Sequence, residues 1–226
     1  GGGGAGGQIC PSLMLSDLPP PKRAALWRFL RDVSPLLASM VSVLPPRYAR
    51  VKELLESAEV FIHVERLIRR AQRGGQRRFT DVYDVGCGHG LVAMIVAAEY
   101  PGMRVHAVDI EPRESFMAQK MAFAKGGTDL NNLTFEAGDL SSLELIAESR
   151  SNGIGTQNIR SLLLCVHGCK SLTHESIELA SRYGWAWLAV PCCLQVENHL
   201  APSAKVQLPD KTRFMILCGA LAMKYG

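Results

Sequence analysis

Two periods of hydrophobic patterning divide the chain. Between residues 22 and 72 apolar side chains return every three or four positions, the spacing of an amphipathic helix. Leu26, Phe29, Leu30, Val33, Leu36 and Leu37 form a first set, broken at Pro35 and closed by Pro45-Pro46. Val51, Leu54, Leu55, Ala58, Phe61, Ile62, Val64, Leu67 and Ile68 form a second, predicting a long helix from Arg47 to Gln72 that stops at Gly74-Gly75. From residue 79 short apolar runs alternate with helical segments. The runs predict strands at Phe79–Val85, Arg104–Val108, Leu133–Glu136, Ser161–Val166 and Trp185–Val190. Between them the pattern predicts helices over Gly90–Tyr100, Pro112–Lys125, Ser142–Glu148 and Thr173–Tyr183, with a last one over Thr212–Met223. Such alternation implies an α/β domain with a parallel sheet and crossover helices. Residues 1–21, rich in glycine and then proline, are expected to be disordered. Residues 22–78 read as a helical extension and 79–226 as the α/β domain.

Composition changes this picture in three places. The 226 residues suffice for one sizeable core, and the formal charge of +4 does not by itself imply nucleic acid. The positive charge is concentrated, however, on the long helix and its exit: Arg47, Arg50, Lys52, Arg66, Arg69, Arg70, Arg73, Arg77 and Arg78. This is either a solvated face with cations near a helix C-terminus or a phosphate-contacting surface for RNA. No aromatic residues interleave with the arginines, so a stacking platform is not indicated. The seven cysteines are an odd number and several lie in apolar runs, which points to reduced thiols in an intracellular, reducing compartment. No apolar run approaches the length of a membrane span, and the glycine-rich start lacks the order of a secretory signal.

The chemistry is concentrated in Thr80-Asp-Val-Tyr-Asp84-Val-Gly86-Cys-Gly88-His-Gly90. A buried strand ends in a carboxylate and passes into three glycines at every second position, where side chains would hold a ligand away from the backbone N–H groups. Residue 91 is leucine, whereas the dinucleotide fingerprint requires glycine there. Asp109 ends the second strand about twenty residues later and can accept both hydroxyls of a ribose. Asp139 follows the third strand in Gly138-Asp139-Leu140.

With this spacing the chain resembles the class I S-adenosylmethionine (SAM) dependent methyltransferases, which implies a Rossmann-like three-layer α/β sandwich. The resemblance implies that SAM lies against Asp84, Gly86, Cys87, Gly88, Gly90, Asp109, Ile110, Asp139 and Leu140. Asp84 would hold the methionine part, Asp109 the ribose, and Asp139 the adenine amino group. Taken as residues alone, Asp84 reads equally as a brace for the turn and Gly-Asp139 as a common turn. Val166-His167-Gly168-Cys169 after the fourth strand and Pro191-Cys192-Cys193 after the fifth resemble a eukaryotic methyltransferase-domain group over most of residues 80–223. They are also loosely similar to transfer-RNA 2′-O-methyltransferases.

His167, Cys169 and Cys192 are the candidate catalytic residues. The imidazole suits a general base, and either thiol suits a nucleophile. A zinc site from these cysteines, Cys193, His167 and His199 is weighed against them and not adopted, since extended neighbours Cys192 and Cys193 point to opposite sides. The plain alternative is small side chains packed at crowded strand ends. His63, His106 and His174 read as structural or exposed, and Trp185 with Trp187 as core. No Asn/Asp-Pro-Pro-aromatic motif follows strand four, which argues against amino methylation of adenine or glutamine. The family's closing antiparallel strand pair is missing after strand five, so the sequence looks truncated. The expected function is methyl transfer from SAM to RNA, with transfer RNA the first candidate; the alternatives are a small-molecule methyltransferase and a SAM-binding scaffold.

Overall fold

The computed structural model describes residues 12–75, 78–151, 160–168 and 171–191, together with the single positions 215, 218 and 219. They include the α-helices and strands α1 (Pro20–Val33), α2 (Pro35–Val43), α3 (Val51–Arg73), β1 (Asp81–Val85), α4 (Leu91–Glu99), β2 (Arg104–Asp109), α5 (Glu114–Lys125), β3 (Leu133–Ala137), α6 (Leu140–Ser151), β4 (Ser161–Val166), α7 (Leu172–Arg182) and β5 (Ala186–Val190). The predicted loop 194–211 and the predicted helix Thr212–Met223 lie outside the described residues.

The sheet is parallel throughout, in the order β3-β2-β1-β4-β5. Order reverses between β1 and β4, which opens a crevice beyond their carboxyl ends. Side-chain alternation gives the sheet two apolar faces. Val82, Val105, Ala107, Leu162 and Leu164 pack toward α1–α5, while Tyr83, Val85, Leu163 and Cys165 pack toward α6 and α7. The result is the expected Rossmann-like three-layer arrangement.

The helices before β1 are less separate than the sequence implies. Leu30, Leu37, Met40, Leu54, Phe61, Val64 and Ile68 share one core with Ile95, Phe123 and Val105. Each such side chain contributes about 1.5–3 kcal/mol by leaving water, so α1–α3 form part of the first layer rather than an appendage. Ser34 stops α1 and caps α2: its hydroxyl accepts the Leu37 N–H at 3.0 Å and donates to Glu99 of α4 at 2.6 Å. The expected disorder also gives way within residues 12–21. Leu15 donates to the Ala49 carbonyl at 2.8 Å, Val51 donates to Leu13 at 3.0 Å, and Met14 bridges Arg50. Composition alone marks this stretch as loose, but the apolar side chain of Leu15 finds a place in the core.

Trp185 lies just before β5 and stacks on Tyr83 with centroids 4.9 Å apart, and Tyr83 stacks in turn on His106 at 4.8 Å. His106 is held by Glu136 at 2.5 Å, and His174 pairs with Glu178. Both read as structural, and Trp185 packs half-buried against the α6 and α7 core. Among the described residues no helix is long and apolar enough to cross a membrane, and no three His, Cys, Asp or Glu side chains gather as a metal site.

Candidate functional site

The carboxyl ends of β1, β2, β3 and β4 bring together residues up to 83 positions apart in sequence, from Asp84 to His167. After Val85 the chain turns through Gly86, Gly88 and Gly90, with φ of 64°, 58° and 67°. Side-chain-bearing residues pay a steric penalty there. The three glycines serve different ends. A Cβ on Gly90 would enter the Phe116 ring, and one on Gly86 would meet Leu172 Cδ2 at 2.8 Å. Those two glycines answer to packing as well as to backbone conformation. A Cβ on Gly88 would meet only the Arg113 side chain, at 3.9 Å, so this is the position where the backbone lies open to a ligand. The sequence reading assigns all three to ligand approach, and packing adds a second requirement at Gly86 and Gly90.

Asp109 organises the turn. Its Oδ2 accepts the Gly88 N–H at 2.7 Å and its Oδ1 accepts its neighbour's, Ile110, at 2.8 Å. A carboxylate has about four acceptor directions, so one remains on each oxygen, the complement of a vicinal diol. Ile110 is 80% exposed beside it, an apolar surface next to the carboxylate. These residues therefore fit an adenosine-bearing cofactor.

Asp84 is 2% exposed and lies beneath the turn. Burial raises its pKa from 3.8 to about 7, against the opposing effect of the Ala93 backbone N–H that hydrogen-bonds to it. At that depth, hydrogen-bonded to the Ala93 N–H at the start of α4, it braces the turn. Burial pushes the Cys87 thiol up strongly, which leaves no thiolate in the turn. Asp139 is exposed, and its Oδ1 accepts the Ser141 N–H and hydroxyl at 2.9 and 2.5 Å. It therefore caps α6, and those bonds hold its pKa below the usual carboxylate value. Leu140, beside it, packs toward the α6 and α7 core.

His167 ends β4 in the left-handed region, φ 59°, with its N–H donated to Val190 at 2.8 Å. Its Nε2 lies 3.3 Å from Glu56 Oε2 on α3. Cys169 and Cys192, as well as Cys193 and His199 of the zinc alternative, lie outside the described residues.

The fold adds four residues that motif reading passes over: Glu53, Glu56, His89 and Arg113. His89 occupies a variable position of the glycine turn, and its Nδ1 accepts the Leu91 N–H at 3.2 Å. Burial lowers its pKa, offset in part by Glu53 and Glu56, so the ring is neutral with its proton on Nε2. Together with Tyr48, Glu53, Arg113 and Glu114, it lines a cleft of about 340 Å³. The only sequence signal for this cleft is the acidic spacing at the start of α3, and nothing in that spacing says which way it faces.

Several solved structures are similar in fold. A point mutant of MtNAS in complex with S-adenosylmethionine is 18% identical over 73% of this chain and 60% of that one, with a TM-score of 0.35. The plantazolicin methyltransferase BamL in complex with a triazolic analog and SAH is 17% identical over 71% and 54%, with a TM-score of 0.35. Human N-acetylserotonin methyltransferase in complex with SAM is 15% identical over 63% and 36%, with a TM-score of 0.31. The chain thus spans roughly half the length of these structures. No curated protein matches it. The family model described as "Methyltransferase domain" matches residues 52–198, which take in α3, the glycine turn and every strand of the sheet. The chain belongs to this methyltransferase-domain family.

Proposed function

We propose that this domain is a SAM-dependent methyltransferase acting on RNA, with transfer RNA the first acceptor to test. The observation that carries the cofactor reading is Asp109, which holds the Gly88 turn with one acceptor direction on each oxygen still open. In this reading Asp109 binds the ribose, and Ile110 and Leu140 flank the adenine beside Asp139. Gly86, Cys87, Gly88 and Gly90 form the floor under the methionine part, with Asp84 beneath them. SAM, when bound, supplies a methyl group already activated on a sulfonium. The chain's task is therefore to position the acceptor, exclude water and take up a proton. His167, at the end of β4 and beside Glu56, is assigned the proton from an acceptor hydroxyl or amine. Cys169 and Cys192 are kept as candidate nucleophiles from their places in the sequence after strands four and five. The RNA part of the reading is supported by the arginines of α3. Cys87, Cys165 and Cys218 are free thiols, in keeping with our proposal of a reducing intracellular compartment.

Calorimetry with SAM on the parent and on Asp109→Ala tests the cofactor site. The parent binds and the variant loses at least a hundredfold in affinity; a parent that binds no SAM refutes the reading. Transfer of radiolabelled methyl to transfer RNA, lost in His167→Ala with SAM binding retained, tests the acceptor and the base.

A further inference from the structure

Helix α3 is bipolar. Its first half carries Glu53, Glu56 and Glu59, and the cations near the crevice are neutralised there: Arg50 pairs with Glu53 at 3.0 Å and Lys52 with Glu56 at 3.4 Å. Its second half ends in Arg66, Arg69, Arg70 and Arg73, which with Gly74 wall a depression of about 470 Å³. Arg69 pairs with Glu65 at 2.8 Å. Among the described residues no carboxylate lies within salt-bridge distance of Arg66, Arg70 or Arg73, and all three are exposed. The helix dipole favours cations only within the last turn, which accounts for Arg70 and Arg73 but not for Arg66 and Arg69.

Since α3 leads from the crevice back to the start of β1, the arginines sit at the amino ends of the strands. At about 1.5 Å of rise per residue, Arg70 lies about 21 Å from Glu56 along the axis. Arg66, Arg70 and Arg73 follow one another by about 6 and 4.5 Å on one exposed face. Planar, permanently charged forks at that repeat suit successive phosphates of a strand. In the same stretch Ile68 is buried and Leu67 is packed half-buried against the core, so among the described residues no exposed large apolar side chain stands beside the arginines to enter a membrane.

We propose that this patch docks the phosphate backbone of the acceptor RNA at a site remote from the crevice. The proposal rests on the RNA reading above and adds a length requirement. Spanning about 21 Å takes roughly six stacked nucleotides at ~3.4 Å each. Shorter oligonucleotides reach the patch or the crevice, but not both.

The test is fluorescence anisotropy with a labelled transfer-RNA transcript over a salt titration. It uses the parent, the triple variant Arg66→Ala/Arg70→Ala/Arg73→Ala, and a charge-matched control on α1, Lys22→Ala/Arg28→Ala/Arg31→Ala. SAM calorimetry accompanies each protein as the folding control. The patch variant is expected to bind at least tenfold more weakly at low salt. The slope of log affinity against log salt should flatten by about 2, three contacts at ~0.7 each. SAM binding stays unchanged, and the α1 control matches the parent. Equal loss in the α1 control would overturn the proposal, as would parent-like binding by the patch variant. A parent that binds SAM but no RNA also overturns it and leaves the methyltransferase reading standing. A parent that binds RNA through the patch but no SAM supports the docking site and removes the methyltransferase.

Discussion

Asp84 gives the site a protonic signature that calorimetry can read. Burial places its carboxyl at about 7 instead of 3.8, a desolvation effect of roughly 4 kcal/mol at 1.36 kcal/mol per unit. At pH 7 the ligand-free domain therefore holds about half a proton there. A sulfonium and an ammonium arriving above the turn favour the ionised form, so binding expels the proton. If the bound value falls by about two units, the coupling is about 2.7 kcal/mol, and by linkage SAM affinity falls up to tenfold per pH unit below 7. The assay is titration of SAM at each pH in two buffers of different ionisation enthalpy, both buffering at that pH. The slope of observed heat against buffer ionisation enthalpy counts protons. About half a proton should be released at pH 7, close to one at pH 6, and almost none at pH 8.5. The release attributable to Asp84 is the difference from Asp84→Asn, which removes the contribution of the ligand's own amino group. Heats that yield the same proton count in parent and variant at pH 6 would refute the reasoning.

The same residue sets a stability profile. Its folded-state value lies above the unfolded one, so its contribution is full below about pH 4 and is lost as pH rises through about 7. The thermal midpoint of the ligand-free parent should fall over that interval more than that of Asp84→Asn. Gly90→Ala puts a Cβ into the Phe116 ring at φ 67°, and denaturant unfolding should show a loss of about 2–4 kcal/mol; Phe116→Leu in the same chain should recover part of it. Phe61→Ala, in α3, should cost about 3–5 kcal/mol in a single cooperative transition; a separate early transition would show that α1–α3 fold apart from the sheet. Asp139→Ala should speed amide hydrogen exchange at Ser141 and Ser142 by uncapping α6, whatever its effect on SAM.

The strand and helix order was legible because each element announces itself locally. Short runs such as Leu162–Val166, and Val82–Val85 with only Asp84 polar, suit strands buried on both faces, and Pro35, Pro46 and Gly74 punctuate the helices. The carboxylates Asp84 and Asp109 and the glycine turn were legible for a related reason: φ near +60° at alternate positions restricts the residue type, and a strand end fixes where its last side chain stands. The same locality leaves three points undecided. Glycine spacing cannot separate Gly88, open to a ligand, from Gly90, packed on Phe116, because the ring comes from α5. Composition cannot show that Leu15 finds a place in the core. Asp139, read for a ligand, spends one oxygen on a helix cap that only three-dimensional geometry reveals. What tertiary structure alone decided is which distant charges meet. Glu56 reaches His167, Glu53 and Arg113 flank His89, and the two ends of α3 are assigned to opposite poles of the sheet. Local sequence fixes backbone conformation through short-range sterics, whereas these encounters depend on how a 23-residue helix is laid across the sheet, a choice made by the whole core at once.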